Sequence, residues 1–155
     1  DRIVPDCIRA LESGEAVKIR NPLATRPWQH VLEPLGGYLL LAARMLEEGK
    51  GYSGAWNFGP DFESIVEVRR VADMIIRYWG KGEWVDVSAQ GKGAVHEAGL
   101  LSLDCTKAKT LLGWRPLLSL DEAVRLTVEW YKECSKGKVY ELCAAQINSY
   151  SGGMP

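Results

Sequence analysis

Arg26 lies in a run of turn-forming and small residues, Asn21-Pro22-Leu23-Ala24-Thr25-Arg26-Pro27-Trp28, and is the side chain best suited to hold an anion. Its guanidinium presents a planar fork of donors that matches phosphate oxygens. By residue type alone it would still be read as an ordinary surface arginine. Lys18 and Arg20 flank Ile19 in the alternating stretch Ala16-Val17-Lys18-Ile19-Arg20. A strand has a side-chain period of two, so both cations share one face. That face either is simply solvated or offers donors to a ligand. Asn57 closes Ala55-Trp56-Asn57-Phe58, just ahead of Gly59-Pro60. The carboxyl end of a strand is a usual ligand position in open α/β sheets, whereas a turn asparagine more often satisfies nearby backbone. His96 and Glu97 fall in the Gly- and charge-rich stretch 89–99, where they could meet a ligand or face water.

Other chemistries find little support. The 4 cysteines, Cys7, Cys105, Cys134 and Cys143, match no zinc or redox spacing, and they read as neutral thiols in a reducing compartment. His30 and His96 are the 2 histidines, with no ligand-spaced partner, so no metal site is expected. The 6 tryptophans are scattered over different elements and read as core rather than a base-stacking platform. With 19 basic and 20 acidic residues and no basic stripe, no nucleic-acid partner is expected. The longest apolar run, Tyr38 to Ala43, is too short to span a bilayer, so no membrane partner is expected either. The chain opens Asp1-Arg2-Ile3, without a signal-peptide pattern or an initiator Met, which suggests a cytoplasmic fragment of something longer.

The elements that must position these residues follow from periodicity. Pro5, Ile8 and Leu11, closed by Gly14, predict a helix over about 4–13. A strand is expected over 16–20, and a short extended piece over 28–32. Pro34 opens a helix whose face carries Leu35, Leu39, Ala42 and Leu46. Ala55 to Phe58 reads as a strand. Ser64-Ile65-Val66-Glu67 has the form of a capping box, opening a helix with Val68, Val71, Ala72, Ile75 and Trp79 on one stripe and Gly80 as its stop. Glu83 to Val87 reads as a strand. Asp104 should cap a short helix ending at Gly113, and Ser119 to Glu122 forms a second capping box, for a helix to about Cys134. A final helix is expected over 139–150. The sum is mixed α/β, with about four short strands and five or six helices, in a sheet too thin to cover its own edges.

The string from Asn21 to Leu35, Asn-Pro-Leu-Ala-Thr-Arg-Pro-Trp-Gln-His-Val-Leu-Glu-Pro-Leu, resembles the signature of the CDP-glucose 4,6-dehydratases, a branch of the extended short-chain dehydrogenase/reductase family. Relatives outside that branch carry Arg-Asp-Trp or Arg-Asp-Tyr here, and Pro27 replaces that Asp. Asp1 to Asp6 and His96-Glu97-Ala98 with Leu101 to Asp104 are similar to the same branch. Leu111 to Pro116 and Thr127 to Tyr131 are shared more widely. The resemblance spans roughly residues 1–150. It implies a small mixed α/β substrate-binding domain of an extended Rossmann-type enzyme, with the cofactor-binding half missing. The one G-x-G-x-x-G, Gly49-Lys50-Gly51-Tyr52-Ser53-Gly54, lies in a loop after an expected helix and before 55–58, not between a strand and a helix as a dinucleotide-binding turn does; no G-x-x-G-x-x-G occurs, and none of the 6 tyrosines has a lysine four residues later.

The resemblance further implies that the whole chain, 1–155, is one nucleotide-sugar-binding domain, of which about 55–80 would pack on the absent Rossmann domain. Its substrate would be a CDP-sugar or CDP, with Arg26 on the diphosphate, Lys18 and Arg20 beside the base, and Asn57, His96 and Glu97 as further contacts. NAD would belong to the intact parent, a lyase of deoxysugar biosynthesis for surface polysaccharide such as lipopolysaccharide, and no cofactor is expected in this chain. The chain alone should be inactive, and a homo-oligomer or a Rossmann-domain partner should cover its open surfaces. A stand-alone nucleotide-sugar-binding module, or a structural partner completing a split dehydratase, are the other readings.

Overall fold

A computed structural model describes residues 2–90, 101–134 and 136–154. The chain starts with helix α1, Ile3–Ser13, which buries Cys7, Ile8 and Leu11 and ends on Gly14 at φ +71, where the left-handed turn favours glycine. Strand β1, Val17–Ile19, buries Val17 and Ile19 and turns Lys18 outward. Strand β2, Thr25–Pro27, follows, and helix α2 runs from Leu32 to Glu48. Strand β3, Ile65–Glu67, leads directly into helix α3, Val68–Trp79, which Gly80 terminates at φ +98. Strand β4 is Trp84–Asp86. A short helical segment at 106–112, π-type over Ala108–Leu112, precedes helix α4, Leu120–Cys134, and helix α5, Val139–Ser151.

The strands form two separate pairs. Parallel β1 and β4 match Val17 with Trp84 and Ile19 with Asp86. Antiparallel β2 and β3 place Thr25 opposite Glu67, Arg26 opposite Val66 and Pro27 opposite Ile65. The main core gathers Ile8 and Leu11 from α1, Val17 and Ile19 from β1, Val71 and Ile75 from α3, and Val124 and Val128 from α4. A second core joins Phe58, Cys105, Ala108, Leu112 and Trp114 under α2.

Several sequence expectations hold. Asp104 Oδ1 accepts from the Thr106 amide at 2.8 Å, capping the short helix that stops at left-handed Gly113. The Ser119–Glu122 box is reciprocal: the Ser119 amide donates to Glu122 Oε2 at 3.0 Å, and the Glu122 amide to Ser119 Oγ at 3.3 Å.

Four expectations fail, each for a local reason. Residues 28–32 are not extended; the extended piece is 25–27, and α2 starts at Leu32, ahead of Pro34. The Ser64 box caps nothing. Ser64 closes a 3-10 turn, the β-branched pair Ile65-Val66 pairs with β2, and the helix waits until Val68. Ala55 to Phe58 is not a strand, because no strand lies beside it among the described residues. Side chains hold this segment instead: Lys107 Nζ donates to the Ala55 carbonyl at 3.0 Å and Gln29 Nε2 to that of Phe58 at 2.9 Å. The apolar stripe of α3 is covered within the chain, since α1 and α4 bury Val71 and Ile75.

The fourth failure concerns α2, which is inside out. Leu35, Leu39, Ala42 and Leu46 share a face as the periodicity predicts, but that face is exposed. The buried side carries Glu33, Gly36 and Gly37. The two glycines let aromatic rings lie against the helix backbone: a β-carbon at Gly37 would stand 2.3 Å from Phe58, and one at Gly36 2.9 Å from Tyr150. A charged residue takes the innermost place because its hydrogen bonds are complete. Glu33 Oε1 accepts from the amides of Leu117 at 2.9 Å and Leu118 at 2.7 Å, and Oε2 from the Tyr150 hydroxyl at 2.8 Å.

Candidate functional site

The candidate site centres on the β1–β2 connection. Pro22 and Ala24 tie this turn to the start of α3, their carbonyls accepting from the amides of Arg69 at 3.0 Å and Val68 at 2.9 Å. Arg26 is the middle residue of β2 and half-buried. Cross-strand partners share a face, so it leaves the ribbon on the side of Val66. Its Nη1 donates to the Thr25 carbonyl at 2.7 Å, which folds the guanidinium back along its own strand.

The residues just after Arg26 fix the ribbon in place. The Trp28 amide donates to the Ser64 carbonyl at 3.1 Å, and Trp28 Nε1 to that of Val66 at 3.0 Å. Through Gln29 the same strand reaches the Phe58 carbonyl, which links the Arg26 arm to the segment that carries Asn57. His30 is buried, and its Nδ1 accepts from the Leu32 amide at 3.3 Å at the mouth of α2. Burial holds the His30 imidazole below its ordinary pKa, so it stays neutral.

The other residues read from the sequence are placed unevenly. Lys18 and Arg20 point outward, away from the faces that bury Val17 and Ile19. Asn57 is exposed, and its Nδ2 donates to the Asp104 carbonyl at 3.0 Å, so it ties two loops together. It does not end a strand. His96 and Glu97 lie outside the described residues. No group of three or more potential ligands fit for a metal ion occurs among the described residues. None of the described helices is long and apolar enough to cross a membrane.

The sequence reading passed over Gln29, His30 and Glu33, which do more to set this geometry than the residues it chose. The signal was present in Glu33: it falls on the Gly36–Gly37 side of α2 rather than on the leucine side, where a solvated charge has no reason to be buried.

No protein-family model matches the chain. It is 41% identical over 152 residues to the CDP-glucose 4,6-dehydratase of Salmonella typhimurium, a match that covers 97% of this chain. The chain is a relative of CDP-glucose 4,6-dehydratase. It spans 42% of that relative's length.

Solved structures give the same fold. The UDP-glucuronic acid 4-epimerase of Bacillus cereus, bound to UDP-glucuronic acid and NAD, superposes with a TM-score of 0.70 at 20% identity, covering 86% of this chain and 40% of that one. The dTDP-glucose 4,6-dehydratase of Bacillus anthracis, in complex with NAD, gives 0.63 at 20% identity, covering 85% and 39%. A UDP-galactose 4-epimerase gives 0.61 at 23%, covering 82% and 38%. The expected fold class, a mixed α/β part of an extended Rossmann-type enzyme, is therefore borne out.

Proposed function

We propose that this chain is the nucleotide-sugar-binding part of a CDP-glucose 4,6-dehydratase and that Arg26 contacts the diphosphate of the ligand. The observation that carries the reading is the match to the Salmonella enzyme over 97% of the chain. It is supported by the position of Arg26 on a short ribbon whose ends are pinned by Trp28 and Gln29. A preset arginine loses less freedom on binding than one on a free loop. Lys18, on the outward face of β1, and Arg20, just beyond its end, would approach the base side, with Asn57, His96 and Glu97 as further candidates.

The chain's own residues do not fit NAD. A dinucleotide needs a glycine-rich turn that brings backbone amides to the pyrophosphate at a helix start. Among the described residues the only parallel pairing is β1 with β4, and the one G-x-G-x-x-G, Gly49 to Gly54, follows helix α2 rather than a strand and opens no helix beyond a single 3-10 turn. NAD would be held by the remainder of the parent enzyme, and this part would bind and orient the CDP-sugar. Alone, the chain would have no dehydratase activity and would act in the cytoplasm with that remainder. The parent reaction, a lyase step toward deoxysugars of lipopolysaccharide, belongs to the same proposal.

The test is a calorimetric titration of CDP and CDP-glucose into the wild-type chain and Arg26→Ala. Loss of a charge-assisted contact should weaken binding by about 1.5–3 kcal/mol. Equal affinities in the two proteins would remove Arg26 from the site. CDP-glucose turnover by the chain with NAD would overturn the assignment of chemistry to the absent part.

A further inference from the structure

We infer that the cleft between α3 and the start of α4 binds a free α-amino acid with an apolar side chain, at a site separate from the one proposed around Arg26. It stands whether or not the chain binds a nucleotide.

The cleft encloses about 490 Å³ between residues 61–64, one face of α3 and residues 116–121. That volume lies within the roughly 300–1,000 Å³ usual for small-molecule sites. Arg70, Met74 and Arg77 line it, and their steps of four and three put them on one side of α3. Val71 and Ile75 face the core instead.

The charges in the cleft divide into paired and open. Asp121 accepts from Arg77 and from the Tyr78 hydroxyl, and Asp61 Oδ1 accepts from Lys109 Nζ at 2.5 Å. Arg70 and Glu63 are both exposed, and neither has a hydrogen-bond or ion-pair partner among the described residues. A cation and an anion left open in one cleft fit a ligand that carries both charges. A simple anion would be repelled by Glu63, and a simple cation by Arg70.

The remaining groups fit the rest of such a molecule. The amides of Leu120 and Asp121, the first residues of α4, have no acceptor among the described residues. Free amides at a helix start favour a carboxylate. Ser64 is only 7% exposed, yet its hydroxyl has no partner among the described residues. That hydroxyl is not sealed in the interior, so it opens on the cleft that Ser64 lines. Hydroxyls at such depth ordinarily have a partner, which a carboxylate oxygen would supply. Met74, Leu118 and Leu120 offer an apolar wall. Donors for a carboxylate, an acceptor for an ammonium and a wall for an apolar side chain are what an α-amino acid needs. No aromatic ring lines the cleft among the described residues, so a nucleotide base has nothing there to stack on.

The experiment titrates L-leucine into the isotope-labelled chain and follows the amides of Ser64, Leu120 and Asp121 by NMR. Saturable shifts are expected, with a Kd on the order of 1 mM or tighter. N-acetyl-leucine lacks the ammonium and leucinamide lacks the carboxylate, so each should bind roughly tenfold more weakly or worse. Arg70→Gln and Glu63→Gln should weaken leucine by a similar factor. Both residues are exposed and unpaired, so these variants should melt with the wild type. The site is refuted if leucine moves none of these amides at about 50 mM. It is also refuted if either blocked leucine binds as well as leucine itself, or if the two folded variants bind it as wild type does. Inorganic phosphate that reproduces the shifts while leucine does not would mark an anion site only and overturn the inference. CDP is titrated separately, so failure at Arg26 and failure at this cleft are distinct results.

Discussion

Replacing Glu33 with Ala should be among the most damaging single changes in this protein. The carboxylate is fully buried and takes three hydrogen bonds, from the amides of Leu117 and Leu118 and from the Tyr150 hydroxyl. It joins the start of α2 to the loop before α4 and to the end of α5. Hydrogen bonds to a charged group are worth about 1.5–3 kcal/mol each, and a buried donor left unpaired costs about 1–3 kcal/mol. These terms overlap, and water entering the vacated space recovers part of the loss. A net cost of about 3–5 kcal/mol follows, a large share of the roughly 5–15 kcal/mol that holds a domain together. Glu33→Gln keeps one oxygen for the two amides and should cost about 1–2 kcal/mol, and Tyr150→Phe about the same. The assay is urea unfolding followed by tryptophan fluorescence, for which buried Trp114 is a reporter close to the clamp. A Glu33→Ala midpoint within 0.5 kcal/mol of wild type, on the order of an ordinary surface substitution, would refute the reasoning.

Gly37→Ala should destabilise by about 1–3 kcal/mol through overpacking, although alanine is the better helix former, because the new methyl meets Phe58 at 2.3 Å; a raised melting temperature would show that the ring can yield. Acidification should cost stability through His30. Its folded pKa lies below the ordinary 6.5, so the unfolded chain binds the extra proton, and stability falls as pH drops through that value toward the lower folded one. Melting curves between pH 7.5 and 5.5 should show a smaller decline in His30→Gln than in wild type, and parallel curves would remove His30 as the cause. Burial, with help from neighbouring Asp6, pushes the Cys7 thiol up to about 12, so iodoacetamide at pH 8 should leave it unmodified in the folded protein while half-exposed Cys134 and Cys143 react; mass spectrometry reads the sites, and early loss of Cys7 would contradict the α1 packing.

The sequence by itself determined the helices whose signals are local. The reciprocal Ser119–Glu122 box, the Asp104 cap and the glycines after α1 and α3 act within one or two turns, and each appears where the residues placed it. The string from Asn21 to Leu35 likewise carried the family likeness, because it is a matter of residue identity and not of packing. Tertiary structure decided the rest. Whether Ser64 caps a helix depended on β2 lying beside Ile65-Val66, and whether 55–58 is a strand depended on a partner that the described residues do not supply. The face of α2 that turns inward could not be read from hydrophobicity. The helix packs by its glycines and one carboxylate, because Phe58 and Tyr150 need the room and Leu117 and Leu118 need an acceptor. Periodicity located the leucine stripe correctly, but it reports only that a surface will be covered. Whether the same chain or another polypeptide covers it is set by contacts distant in sequence.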